Sequence, residues 1–193
     1  PFLSRHIQAM VQLQLHTGAR PAEICGLRTA DIDTAGKVWL AKLEHHKNAH
    51  RGHDRTLYLG PRAQAVLAPF LKAELAAFIF SPAEAEGERR ERQHAARKTP
   101  LSCGNVPGSN RRRRPTTKPG NRYDVGSYRR AIHRACEAAG VDQWSPHRLR
   151  HSAATMIRRE FGVEAAQTIL GHRSLSATEI YAEQNSAAAM KIA

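Results

Sequence analysis

The residues that could do chemistry fall in a few short stretches. Ser145-Pro146-His147-Arg148-Leu149-Arg150-His151 sets an imidazole and a guanidinium three residues apart at the start of a helix, with Ser145 as its cap and Pro146 in its first turn. His147 and Arg150 then share a face where backbone N–H groups and the helix dipole favour an anion, a candidate phosphate site. In isolation the same residues read first as a solvated helix face. Thr17-Gly18-Ala19-Arg20-Pro21-Ala22-Glu23 puts a second arginine at a helix entrance, with a carboxylate three residues on. Lys47 stands where a strand runs into a basic loop, with Lys42 close by on the same hairpin. Leu170-Gly171-His172 is followed by Tyr181 nine residues later. A phenol has an ordinary pKa of ~10, so a tyrosine nucleophile needs nearby cations to stabilise its phenolate. Arg20, Arg150, His147 and His172 are of the types that could do so while neutralising a phosphate. Tyr181 alone reads first as a packed tyrosine beside Ile180.

The composition narrows the partner. The 193 residues carry 30 Lys and Arg against 17 Asp and Glu, a net charge of +13, with 41% apolar residues. The chain can bury a core, and its natural partner is a polyanion, nucleic acid first. No apolar run approaches the ~18 residues of a membrane span and no signal peptide is present, so no membrane role is expected. Cys25, Cys103 and Cys136 are odd in number and widely spaced, which fits a reducing cytoplasm better than a disulfide framework. His45, His46, His50 and His53 invite a metal, but without a carboxylate or thiol partner they read as solvated or phosphate-facing. No Walker loop, paired-aspartate site or H-E-x-x-H occurs, and neither metal nor cofactor is expected.

These residues need elements to position them. Phe2, Leu3, Ile7, Met10, Val11 and Leu15 predict a helix ending at Thr17-Gly18, and Pro21 opens a short second one. After a turn over 31–36, the stretch 37–44 alternates through Val38, Leu40 and, after a break, Leu43, predicting a strand. Arg55-Thr56-Leu57-Tyr58-Leu59 is its antiparallel partner across the basic loop. Residues 61 to about 77 have helical spacing, and Phe78-Ile79-Phe80 reads as a short extended piece. Residues 81–125 read as a basic Pro/Arg-rich insertion or loop, ordered only on an anionic surface, with Arg111, Arg112, Arg113 and Arg114 as candidate DNA contacts. Residues 93–134 hold eleven Lys and Arg against one Asp. Further helices are predicted over 125–139, closed by Gly140; 147–161, ended by Gly162; and 163–170, stopped by Gly171. Another, capped by Ser176, carries Tyr181, and an alanine-rich tail follows. The fold class is α+β, mostly helical, with a small antiparallel hairpin or sheet near residues 37–60. The start at Pro1, with a helix already beginning, reads as a fragment of a longer protein.

T-G-x-R-x-x-E, the hairpin Lys47, H-R-L-R-H, L-G-H and the following Tyr181, in this order and spacing, resemble the tyrosine recombinase (phage integrase) family over residues 3 to about 185. The resemblance implies one integrase-like catalytic domain over 1–193, with the family's N-terminal core-binding domain expected to be missing from this chain. It implies that Arg20 and Arg150 grip the non-bridging oxygens of a scissile phosphate, the phosphoryl-transfer form of electrostatic preorganisation. Lys47 would be the general acid for the leaving 5′-hydroxyl. His147 and His172 would support the phosphate and assist proton transfer, Glu23 would orient Arg20 or a histidine, and Tyr181 would be the nucleophile. A 3′-phosphotyrosyl link keeps the energy of the broken bond, so rejoining needs neither ATP nor metal. The implied function is a site-specific DNA recombinase or integrase of a mobile element. The implied partners are double-stranded DNA and further copies, as a homotetramer on DNA with the tail docked on a neighbouring subunit, in the nucleoid-associated cytoplasm.

Two departures stand out. Glu183 occupies a position where histidine is common, and 81–125 is longer and richer in arginine than that connection usually is. Three other readings stay open at this level. A type IB topoisomerase shares the chemistry, a non-catalytic DNA-binding relic of an integrase shares the motifs, and an RNA-binding protein would need an aromatic stacking platform that is missing here.

Overall fold

A computed structural model describes residues 2–44, 55–100, 102 and 118–171. Helix α1 (Arg5–Thr17) starts at Ser4, whose Oγ accepts from the Ile7 N–H, and buries Ile7, Met10, Leu13, Gln14 and Thr17 along one face. It runs through the centre of the domain, packed on α3 (Pro61–Leu67) and α6 (Pro146–Leu170), with α2 (Pro21–Cys25) following directly. Three antiparallel strands lie in sequence order: β1 (Ile32–Asp33), β2 (Trp39–Lys42) and β3 (Thr56–Leu59). Ala41 of β2 faces Leu57 of β3, and Trp39 faces Leu59. Helices α4 (Pro82–Ala95) and α5 (Val125–Ala139) complete the described fold. The fold is α+β and mostly helical, as expected.

Several boundaries differ from the sequence reading, each for a local reason. The turn over 31–36 contributes β1, which makes the hairpin a sheet. On β2 the buried side chain is Ala41, followed by Leu43, while Val38 is 45% exposed. Side chains alternate along a strand, and the more apolar Val38 and Leu40 had indicated the wrong parity. The helix read over 61–77 stops at Leu67 and tightens into a 3-10 turn over Ala68–Phe70, because Pro69 has no N–H with which to continue it. Ser145 stands at the start of α6, where its carbonyl accepts from the Arg148 N–H, but its side chain makes no cap.

The largest difference is α4, at the head of the stretch read as insertion or loop. Ser81 Oγ accepts from the Glu84 N–H, Pro82 opens the first turn, and Glu86 pairs with Arg89 and Arg90 one turn ahead. Only Ala85 of this helix is buried, so its contacts with α1 are mostly polar. Arg5 donates to Glu88 at 2.6 Å and Lys72 pairs with Glu84. His6 of α1, buried between Phe70 and Phe80, lies 3.6 Å from Glu88. Helical i,i+3 and i,i+4 pairing explains why a run that looked merely charged holds a helix.

Helix α6 is broken at Gly162, as read, and folds back on itself. Ala154 and Ile157 of its first arm pack with Ala166 and Leu170 of its second in a small separate cluster. This return decides the site.

Candidate active site

Arg150 lies on the first arm of α6 with its side chain fully buried, 1% exposed. Nη1 donates to the Gly18 carbonyl at 2.6 Å and Nη2 to the Leu170 carbonyl at 2.9 Å. Twenty residues separate Arg150 from Leu170. A straight helix of that length would set them roughly 30 Å apart. The bond exists because the chain reverses at Gly162. Arg150 thus ties together the end of α1, the start of α6 and the end of α6.

Arg20 sits two residues beyond Gly18, at the entrance to α2. Its backbone N–H donates to Glu23 Oε2 and its Nη1 to Glu23 Oε1, both at 2.8 Å, and a fifth of its side chain remains exposed. Glu23 is buried. Burial alone would raise its pKa, but the charge of Arg55 and the two hydrogen bonds from Arg20 outweigh this and hold the carboxyl below its ordinary range. It is therefore an anion at neutral pH, fit to orient arginines.

Two glycines make the close approach possible. Gly18 and Gly171 both have left-handed backbone, at φ 63° and 64°. A Cβ at Gly18 would lie 2.6 Å from Leu170 Cδ2, and one at Gly171 would lie 2.7 Å from Arg55 Nη1. The glycines of T-G-x-R and L-G-H are each required twice, by conformation and by space.

The structure brings together Arg20, Glu23 and Arg150 of the residues read from sequence. His147 is on the same helix but exposed, edge-on to His151 with ring centroids 5.0 Å apart. The expected shared face is therefore divided: Arg150 turns inward to two carbonyls and His147 outward. The solvated-face reading holds for Arg148 and His151 and fails for Arg150. Lys42 is exposed at the end of β2. Lys47, His172, Tyr181, Arg111, Arg112, Arg113 and Arg114 lie outside the described residues, as do His45, His46, His50 and His53. Among the described residues no group of three or more His, Cys, Asp or Glu could hold a metal, and no helix is long and apolar enough to cross a membrane.

Sequence reasoning missed two residues of this site. Arg55 stands just before β3 and sends its guanidinium to Glu23 and to the Ile169 carbonyl. Gln14 donates to the Ala19 and Pro146 carbonyls and accepts from the Tyr128 hydroxyl, which joins α1, α5 and α6. A polar Gln14 on the face marked by Ile7, Met10 and Thr17 was a usable signal. Arg55, in a basic context, offered none.

As chemistry, the arrangement fixes Arg20 and Arg55, from distant segments, beside the buried Glu23 carboxylate, with Arg150 anchored close by on the Gly18 and Leu170 carbonyls. Such cations can stabilise an anionic phosphate without moving during reaction. Tyr123 and Tyr128 are buried, and burial raises both phenol pKa values, so neither is suited to attack.

The Phage integrase family profile matches residues 3–188. Tyrosine recombinase XerC of Corynebacterium efficiens is 31% identical over 183 residues, covering 94% of this chain and 47% of the relative. The chain thus spans about half the length of the curated relatives it matches. Among solved structures, the XerA recombinase superposes with a TM-score of 0.60 at 21% identity, covering 97% of this chain and 55% of that one. A transposon integrase in complex with circular intermediate DNA gives 0.54 at 18% identity, covering 95% and 58%. The family match runs over the whole of the arginine and glutamate framework just described, and the chain belongs to the phage integrase family of tyrosine recombinases.

Proposed function

We propose that this chain is the strand-cleaving part of a site-specific DNA recombinase or integrase. The Tyr181 phenol oxygen attacks a phosphorus of double-stranded DNA. A bond forms from that oxygen to phosphorus, and the bond from phosphorus to the 5′-oxygen breaks. Lys47 gives the leaving 5′-oxygen its proton, Arg20 and Arg150 hold the non-bridging oxygens, and His147 and His172 support the phosphate and move protons. Glu23 keeps Arg20 in place. Attack of a 5′-hydroxyl on the 3′-phosphotyrosyl link reverses the step and rejoins the strands. Arg111 to Arg114 add phosphate contacts that release counterions. The working assembly is a homotetramer on DNA, in the cytoplasm with the nucleoid.

The observation that carries this reading is the Arg150 bridge. One buried guanidinium joins the Gly18 carbonyl of the T-G-x-R loop to the Leu170 carbonyl at the end of α6, which supports a shared centre for these segments. The relative's name, a tyrosine recombinase, supports the same activity, and the DNA complex of a protein of this fold supports the substrate.

The test is incubation with a pool of nicked suicide duplexes, followed by a search for a protein–DNA adduct that survives denaturation. The parent chain should form it. Tyr181→Phe should form none while binding DNA about as tightly. An adduct in Tyr181→Phe would make another residue the nucleophile.

A further inference from the structure

Arg55 is unusual among the buried groups. Its side chain is 4% exposed, yet its Nε and Nη2 find no hydrogen-bond partner among the described residues. Nε faces Glu23 Oε1 at 3.5 Å, too far for a good hydrogen bond but close enough for strong attraction. Nη1 donates to the Ile169 carbonyl at 2.9 Å. The next carbonyl, Leu170, accepts from Arg150. Two arginines thus cap consecutive carbonyls at the end of α6, where the helix dipole gathers negative charge. Donors left without a hydrogen bond are costly, and replacing Arg55 and Glu23 together by well-packed apolar residues would avoid that cost. The pair is thus not the arrangement that stability alone would select.

We propose that Arg55 is a positioning residue for phosphodiester cleavage, locking the Glu23 carboxylate that carries Arg20 to the end of α6 where Arg150 is anchored. The assignment rests on the strand-transfer reading above. Glu23 holds Arg20 with both oxygens, and Arg55 holds Glu23 against the one helix end that Arg150 also grips. The two phosphate-binding arginines are thereby set at a fixed separation. Without Arg55 the T-G-x-R loop and the end of α6 are still joined through Arg150, but the Glu23 carboxylate, held by Arg20 alone, loses its tie to the end of α6. A lysine could face Glu23 but could not also span to Ile169 with a planar fork.

The test compares Arg55→Lys and Arg55→Met in the whole chain. The probe is a nicked duplex recovered from the random pool by adduct formation with the parent. Single-turnover adduct formation at saturating DNA, affinity for the same duplex, thermal unfolding and the pH–rate profile are measured together. Both variants should form adduct about ten- to a hundredfold more slowly, with affinity changed less than about threefold, since misplaced catalytic groups act on the chemical step. In Arg55→Met the acid limb of the profile should move to higher pH, because Glu23 loses a cation that opposes the effect of its burial. In Arg55→Lys the limb should stay near its parental place. A parental rate in both variants overturns the proposal, as does a rate loss that only follows the folded fraction with an unmoved acid limb. If Arg55→Met does not fold, Arg55→Lys decides: a parental rate overturns the assignment, and a tenfold loss at unchanged affinity supports it. Absence of adduct with the parent chain overturns the strand-transfer reading, and this assignment with it.

Discussion

The two ends of α1 both carry ion pairs, and they differ in almost everything but charge. At the N-terminal end Arg5 meets Glu88 with side chains 57% and 28% exposed, and beyond it Glu86 pairs with Arg89 and Arg90 on open helix surface. At the C-terminal end Glu23 and Arg55 are 1% and 4% exposed. Water screens the first set, and each such pair contributes little. The second set has lost its water, so its members depend on one another and on the carbonyls of Gly18, Ile169 and Leu170. Exposed pairs fasten α4 to the domain, whereas buried ones tie the T-G-x-R loop to the end of α6. A count of salt bridges would rank the two ends the wrong way round.

Removing the buried carboxylate should have the largest effect. Glu23→Ala leaves Arg55 without its counter-charge, and urea unfolding should show a loss of about 3–5 kcal/mol. The sign with pH follows from the same anion. Its folded pKa lies below the ordinary value, so its contribution is present above the ordinary carboxylate range and is lost as pH falls through the folded pKa. The difference between parent and Glu23→Ala should therefore shrink in acid. A loss below about 1 kcal/mol at neutral pH would mean Arg55 finds another partner, and the contrast between the two ends would fail.

Gly171→Ala should come next. The left-handed backbone costs roughly 1–2 kcal/mol for a residue with a Cβ, and that Cβ would meet Arg55 Nη1 at 2.7 Å. Part of the penalty should disappear when Arg55 is shortened to alanine, and a double-mutant cycle measures that coupling. Strict additivity would show the Arg55 contact to be incidental.

The smallest effect belongs to the exposed end. Arg89 and Arg90 hold the Glu86 carboxyl at about pKa 2, yet the arginines are about half exposed. Glu86→Gln should change stability by about 0.5 kcal/mol or less, and this difference should fade in 1 M salt. A loss comparable to that of Glu23→Ala would erase the comparison.

Much of this protein could be read from local signals. The end of α1 at Gly18, the Pro21 entrance to α2, the limits of α5 and the break of α6 at Gly162 all follow from caps, prolines and glycines acting within a few residues. The family followed from residue types at fixed spacing. Where two local signals competed, the reading failed: Val38 and Leu40 against Ala41 on β2, and composition against ion-pair spacing on α4.

The sequence by itself determined the kinds of groups the site needs: arginines 20 and 150, the carboxylate 23 and the glycines 18 and 171. Each stands in a short motif whose spacing reflects a helix start or stop. Only the tertiary structure decided that Arg150 is buried, that His147 is not, and that Arg55 and Gln14 belong with them. Those facts depend on contacts across more than a hundred residues, Arg150 to Gly18 and Gln14 to Pro146, and on the reversal at Gly162 that brings Leu170 back to Arg150. Burial is a property of packed surfaces, and no local pattern records which far segment will exclude water from a given side chain.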